Sequence, residues 1–156
     1  MAEHKAIIDW KNNGPDFLKG RFTREHTWTF DGGQCVTASA ASSVVPPPLS
    51  NPEGIDPEEA FVASLSSCHM LTFLFLAYRQ GYQVESYHDE AVATMAKGEN
   101  GVPWVSLITL NPKVTYCGDK QPAAGDESKL HDQAHHYCYI ANSIKTKMVV
   151  AGLDSA

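Results

Sequence analysis

The chain has 156 residues, 43% of them hydrophobic and 19% charged. That is enough for one folded domain with its own core, without a disulfide scaffold. Twelve Lys and Arg stand against 18 Asp and Glu, a formal net charge of −6. This balance argues against a nucleic-acid partner, and no basic amphipathic stretch offers itself to an anionic membrane.

The first residues, through Trp10, hold no apolar segment long enough for a signal peptide, so a cytoplasmic protein is expected. Residues 4–41 read as β. Phe22, Arg24, His26, Trp28 and Phe30 fall on one face, and Arg21, Thr23, Glu25, Thr27 and Thr29 on the other. Asp31-Gly32-Gly33 reads as a turn, after which Val36, Ala38 and Ala40 continue the alternation. Residues 42–56 form a loop in which Pro46-Pro47-Pro48 blocks regular pairing.

Asp56-Pro57-Glu58-Glu59 has the chemistry of a helix start: an Asp cap, Pro in the first turn, and acids at the positive end. The helix is predicted to run to about Gln80, with Gly81 ending it. Its stretch from Ala60 to Tyr78 carries no formal charge, and it reads as a buried central helix rather than a membrane span. Strands are predicted over 83–97 and 104–116, joined at the turn Glu99-Asn100-Gly101. A polar loop over 117–126, a second helix over 127–143 and a closing strand over 144–150 complete the order. No repeat or linker divides the chain, so 1–156 reads as a single domain. Strands in antiparallel runs give an α+β class.

Chemistry concentrates on the two helices. The four cysteines are Cys35, Cys68, Cys117 and Cys138, and no C-x-x-C pair exists among them, which excludes zinc-ribbon and thioredoxin-type motifs. Cys35 and Cys117 lie in strand-like segments and read as small buried hydrophobes. Helical spacing places His131, His135, Cys138 and Asn142 on one stripe, with Tyr137, Ile140, Ala141 and Ile144 on the packing side. Cys138 is thus expected at the edge of a polar face. Cys68 has Phe61, Ser64, Leu65, Leu71, Thr72 and Phe75 at neighbouring helical positions, so it is expected to be buried or in a narrow pocket. A thiol there needs a helix N-terminus or a cation to become nucleophilic. Ser66-Ser67 capping a restarted helix would supply the first. Arg24, on the inward face and paired with Glu58 or Glu59, would supply the second.

The run Asp56-Pro57-Glu58-Glu59-Ala60-Phe61-Val62-Ala63-Ser64-Leu65-Ser66-Ser67-Cys68-His69-Met70 closely resembles a signature of the OsmC/Ohr family of osmotically inducible and organic hydroperoxide resistance proteins. Ala134 to Ser143, centred on Cys138, resembles the segment holding that family's second cysteine, and Arg24-Glu25-His26-Thr27-Trp28 through Gly32-Gly33 resembles the N-terminal hairpin of an OsmC-like branch. The resemblance implies an α+β fold in which antiparallel sheets wrap two central helices in an intertwined homodimer. It also implies thiol-dependent reduction of organic hydroperoxides without a cofactor, with a cellular dithiol as reductant.

By the same resemblance Cys68 matches the peroxidatic cysteine, Cys138 the resolving one, and Glu58 the glutamate that holds the catalytic arginine. That arginine lies further along the hairpin in the best-known members, where this chain has Asp31-Gly32-Gly33-Gln34, so Arg24 is the residue expected to replace it. Trp28, Phe61, Leu65, Leu71 and Phe75 would form an apolar substrate pocket, and His69 or His135 would protonate the leaving alkoxide. Two other readings compete. One is a metal site built from His131, His135 and Cys138 with His136 and Cys68. The other is a non-catalytic protein that binds a small apolar or thiol-reactive ligand in the same pocket.

Overall fold

The computed structural model describes residues 2–14 and 16–153, so the outermost residues of the expected 1–156 domain lie outside the described residues. The chain divides into two compact units, Met1–Ala60 and Phe61–Ala156.

The first unit holds one antiparallel sheet in the order β1-β2-β3, formed by β1 (Ala6–Asp9), β2 (His26–Phe30) and β3 (Cys35–Ala38). Trp28 sits between Ile8 and Val36 in the register. The turn at Asp31 closes through the Phe30 N–H, which donates to the Gln34 carbonyl at 2.9 Å. The strand begins at His26 and not at Phe22, a correction to the alternation. The preceding residues are drawn into an aromatic cluster instead. Phe22 stacks on Phe17 at 4.5 Å, Trp10 meets Phe22 edge-on at 5.7 Å, and the Trp10 indole N–H donates to the Thr23 carbonyl. Cys35 is exposed, not a buried filler.

The helix α1 (Pro57–Arg79) starts in this unit and runs on into the second. Its start is a reciprocal capping box: Asp56 Oδ1 accepts the Glu59 N–H at 2.7 Å, and Glu59 Oε2 accepts the Asp56 N–H at 3.1 Å. It ends where Gly81 takes φ +80°, a conformation that favours glycine. The helix is continuous through Ser66 and Ser67, so no second N-terminus lies beside Cys68. Ser66 instead donates its hydroxyl to Asp89. Within the single chain the helix is buried along one stripe, Leu65, His69, Phe73 and Ala77. Leu71, Phe75 and Tyr78 on another face are 60%, 54% and 62% exposed.

In the second unit the two predicted strands are four: β4 (Gln83–Asp89), β5 (Val92–Lys97), β6 (Pro103–Leu110) and β7 (Pro112–Cys117). The hairpin turns at Glu99–Gly101 as expected, where the Gly101 N–H donates to the Gly98 carbonyl at 2.8 Å. It then breaks midway, so that β5 pairs β6 and β4 pairs β7 in separate sheets. A side chain makes the break: Asp89 Oδ1 accepts the Asn111 N–H at 2.6 Å, while Asn111 Nδ2 donates to the Glu90 carbonyl at 2.8 Å. The last strand, β8 (Lys147–Val150), joins β6 in parallel, so the closing sheet is mixed.

The second helix, α2 (Ala124–Tyr137), is shorter than expected; Cys138 is extended at ψ 117°, and a short 3₁₀ turn follows at Ala141–Ser143. Two apolar clusters result. Leu65, Ile108, Leu110, Cys138 and Met148 form one. Phe73, Ala77, Tyr82, Leu130 and Ala134 form the other.

Candidate functional site

Cys68 lies midway along α1 on a stripe that is neither fully buried nor fully exposed. Ser64, Ser67, Cys68, Leu71, Thr72, Phe75, Leu76 and Arg79 of that helix line a groove of about 900 Å³ with Tyr137, Tyr139 and Ile140. Steps of three and four residues put these α1 positions on one face. Cys68 to Arg79 is eleven residues, roughly 16 Å along the axis.

The turn after α2 brings Cys138 to the same place. Cys138 is fully buried and packs with Leu65 and Ile108, whereas Cys68 reaches the groove. The Ile140 N–H donates to Cys68 Sγ at 3.5 Å, and the Ala141 N–H donates to Cys138 Sγ at 3.4 Å. Burial pushes the Cys138 thiol up to about 11, and its hydrogen bond with Cys68 adds to the rise. The Ala141 and Ile140 N–H groups oppose it. Access therefore separates the two sulfurs. One meets whatever enters the groove, and the other is held as a thiol behind it.

Most of the expected pocket residues sit elsewhere. Phe75 and Leu71 do line the groove, but Leu65 is fully buried and Phe61 packs against the core beneath it. The reason is their angle on the helix: Leu65 belongs to the Leu65–His69–Phe73–Ala77 stripe. His69 falls on that stripe too, so it does not face the groove. One of its ring nitrogens, Nε2, lies 3.0 Å from His131 Nδ1. The two rings stack, and Phe73 covers His131 at 4.3 Å. Burial, then His131 and His135, hold His69 down to about 3, and burial holds His131 down to about 4. Both rings are neutral at pH 7, which removes His69 as a ready proton donor.

The polar stripe expected on α2 also dissolves. Within α2 the buried stripe is Leu130, His131 and Ala134, which leaves His135 exposed, and beyond Tyr137 helical spacing no longer governs 138–144, where Cys138 is buried. Among the described residues no three His, Cys, Asp or Glu side chains form a metal-holding group. Tyr137, expected on the packing side, is 58% exposed at the groove. Cys117 is half-buried at the end of β7.

In the first unit, Trp28 is half-buried and its indole N–H donates to His26 Nε2 at 2.9 Å. Arg24 does not pair with Glu58 or Glu59 among the described residues. Its Nη1 donates to the Gly20 carbonyl at 3.0 Å and to that of Phe22, and its guanidinium lies 3.7 Å over the Phe22 ring. Glu59 is committed to the helix cap.

The sequence reading missed Arg79, Tyr137 and Tyr139 as groove residues. The signal for Arg79 was available: Cys68, Thr72, Phe75 and Arg79 recur at helical steps of four, three and four. None existed for the tyrosines, whose placement depends on where α2 ends.

The family model for OsmC-like proteins matches residues 50–151. The chain is 47% identical to an OsmC-like protein of unknown function from Vibrio cholerae, covering 96% of this chain and 98% of that one, with a TM-score of 0.92. The chain belongs to the OsmC family. An organic hydroperoxide resistance protein from Elizabethkingia anophelis is 15% identical over 96% of this chain and 93% of that one, at a TM-score of 0.70. The organic hydroperoxide resistance protein OhrB of Bacillus subtilis is 16% identical over 96% and 98%, at 0.63. At that identity the likeness is one of fold. No curated protein matches the chain.

Proposed function

We propose that the protein is a two-cysteine reductase of organic hydroperoxides. The observation that carries this reading is the pair of sulfurs at the groove: Cys68 accessible, Cys138 buried behind it, each accepting a backbone N–H from one turn. The names of the Elizabethkingia and Bacillus proteins point to the same chemistry.

The Cys68 thiolate attacks the terminal oxygen of the hydroperoxide. The S–O bond forms, the O–O bond breaks, and the alkoxide leaves as alcohol after taking a proton. Cys138 then attacks the sulfenic sulfur. The S–S bond forms, the S–O bond breaks, and water leaves with the Cys138 proton. A cellular dithiol reopens the disulfide by exchange. The N–H of Ile140 is the dipole offered to the Cys68 sulfur, and Leu71, Phe75, Leu76 and Ile140 favour an alkyl or aryl peroxide over hydrogen peroxide.

The reading includes a homodimer in the cytoplasm. A second copy is the partner assigned to the exposed apolar side chains Leu71, Phe75 and Tyr78 of α1. Steady-state reduction of cumene hydroperoxide by dithiothreitol tests the assignment. Cys68→Ser is expected to abolish turnover. Cys138→Ser is expected to keep one round of oxidation and lose recycling through the disulfide. Equal activity in all three proteins contradicts the reading and favours a binding protein that uses the same groove.

A further inference from the structure

The turn that carries both N–H donors has a fastener of its own. Asn142 lies four residues beyond Cys138. Its Nδ2 donates to the His136 carbonyl at 2.8 Å and to the Cys138 carbonyl at 2.9 Å. Its backbone N–H donates to the Cys138 carbonyl as well, at 3.1 Å. One carboxamide therefore ties the last turn of α2 to the residue that bears the resolving sulfur. The segment between them, Tyr139-Ile140-Ala141, holds the two N–H groups aimed at Cys68 and Cys138. Ser143 fixes the far side, donating its hydroxyl to the Tyr139 carbonyl at 2.7 Å.

We infer that Asn142 is a positioning residue for the resolving step, holding the post-α2 turn so that Cys138 closes on oxidised Cys68. The inference rests on the two-cysteine reading and deepens it. Cys138 is a capped, extended residue and not part of a regular helix, so no helical hydrogen-bond ladder fixes its sulfur. Its backbone is fixed by what grips its carbonyl, and Asn142 grips that carbonyl twice. Disulfide closure requires Cys138 Sγ to approach Cys68 Sγ opposite the leaving oxygen, and loss of alignment by an ångström costs a step on the order of a hundredfold. Attack on the peroxide needs Cys68, the open groove and the Ile140 N–H; it does not depend on where Cys138 points, so a loosened turn costs it less than it costs closure. Asn142 is exposed and belongs to neither apolar cluster, so its replacement removes no apolar packing from them.

The test compares the parent chain with Asn142→Ala and with Asn142→Asp, which keeps the shape but cannot donate to the two carbonyls. Each reduced protein receives one equivalent of cumene hydroperoxide. Sulfenic acid at Cys68 is trapped with dimedone, the Cys68–Cys138 disulfide is followed by mass spectrometry, and rates are taken across pH 6 to 9. Both variants are expected to form the Cys68 sulfenic acid within about threefold of the parent rate, the Ile140 N–H being the one group of that step carried on the turn. Closure is expected to be ten- to a hundredfold slower, so the dimedone adduct accumulates, and without dimedone a second equivalent of peroxide carries Cys68 on to sulfinic acid. Equal slowing of both steps indicates general damage to the fold and overturns the inference, as does closure at the parent rate. A parent chain whose Cys68 never oxidises removes the two-cysteine reading itself, and the inference with it.

Discussion

The buried pair His69 and His131 makes the stability of this protein steeply dependent on mild acid. Both rings are neutral in the folded chain, held down to about 3 and about 4 mainly by burial, against an ordinary value of 6.5. The unfolded chain takes up two protons near pH 6.5 that the folded chain refuses. Stability is therefore intact above pH 6.5 and falls as pH drops toward 4. Between pH 7 and pH 5 each histidine contributes a loss on the order of 2 kcal/mol, and the pair roughly 3 to 4 kcal/mol. Glu127, whose carboxyl burial pushes up, works in the opposite direction and trims the loss. Urea unfolding at pH 7 and pH 5 measures the difference. His131→Asn removes one of the two titrating rings, so this variant is expected to lose about half as much as the parent over the same interval. Identical losses in parent and variant would refute the assignment of the acid sensitivity to this pair.

Three further expectations follow from the site. Because Cys138 is pushed up to about 11, disulfide closure after sulfenate formation should quicken with pH, up to about tenfold per unit between 7 and 9; a flat single-turnover profile would show that the Cys138 thiolate is not the attacking species. Phe75→Asp places a charge on the apolar wall and should raise KM for cumene hydroperoxide roughly tenfold, in keeping with about 1.5 kcal/mol of lost apolar contact. Turnover of hydrogen peroxide should change little in that variant, and equal losses for both peroxides would remove the groove from substrate selection. Arg24 spends its guanidinium on the Gly20 and Phe22 carbonyls, so Arg24→Met should oxidise Cys68 within about twofold of the parent rate. A tenfold or larger loss would restore it as the catalytic cation.

Local chemistry was the legible part of this chain. Asp56 and Glu59 cap α1 as their spacing demands, Gly81 ends it, and the Glu99–Gly101 turn closes its hairpin. Each of these is decided by residues within a few positions of one another. What escaped the sequence was decided at a distance. The long hairpin breaks because Asp89 takes the Asn111 N–H from 22 residues away. β8 runs parallel to β6 because the turn after α2 delivers it there, and no strand pattern encodes direction. α2 buries Leu130, His131 and Ala134, which turns His135 to the surface, and its end at Tyr137 leaves Cys138 buried as an extended residue, against a helical stripe that assumed six more residues of helix. Of the site, the two cysteines and the apolar wall at Phe75 and Leu71 were readable from their neighbours. The turn donors of Ile140 and Ala141 were not, since backbone N–H groups leave no mark in a sequence.

The most direct test of the central claim is a thiol map after a single oxidation. Reduced protein is treated with one equivalent of cumene hydroperoxide, quenched within seconds, digested without reductant and read by mass spectrometry. The account predicts a Cys68–Cys138 disulfide as the first product, with Cys35 and Cys117 still reduced. Cys68 recovered as a free thiol while the peroxide persists would contradict it.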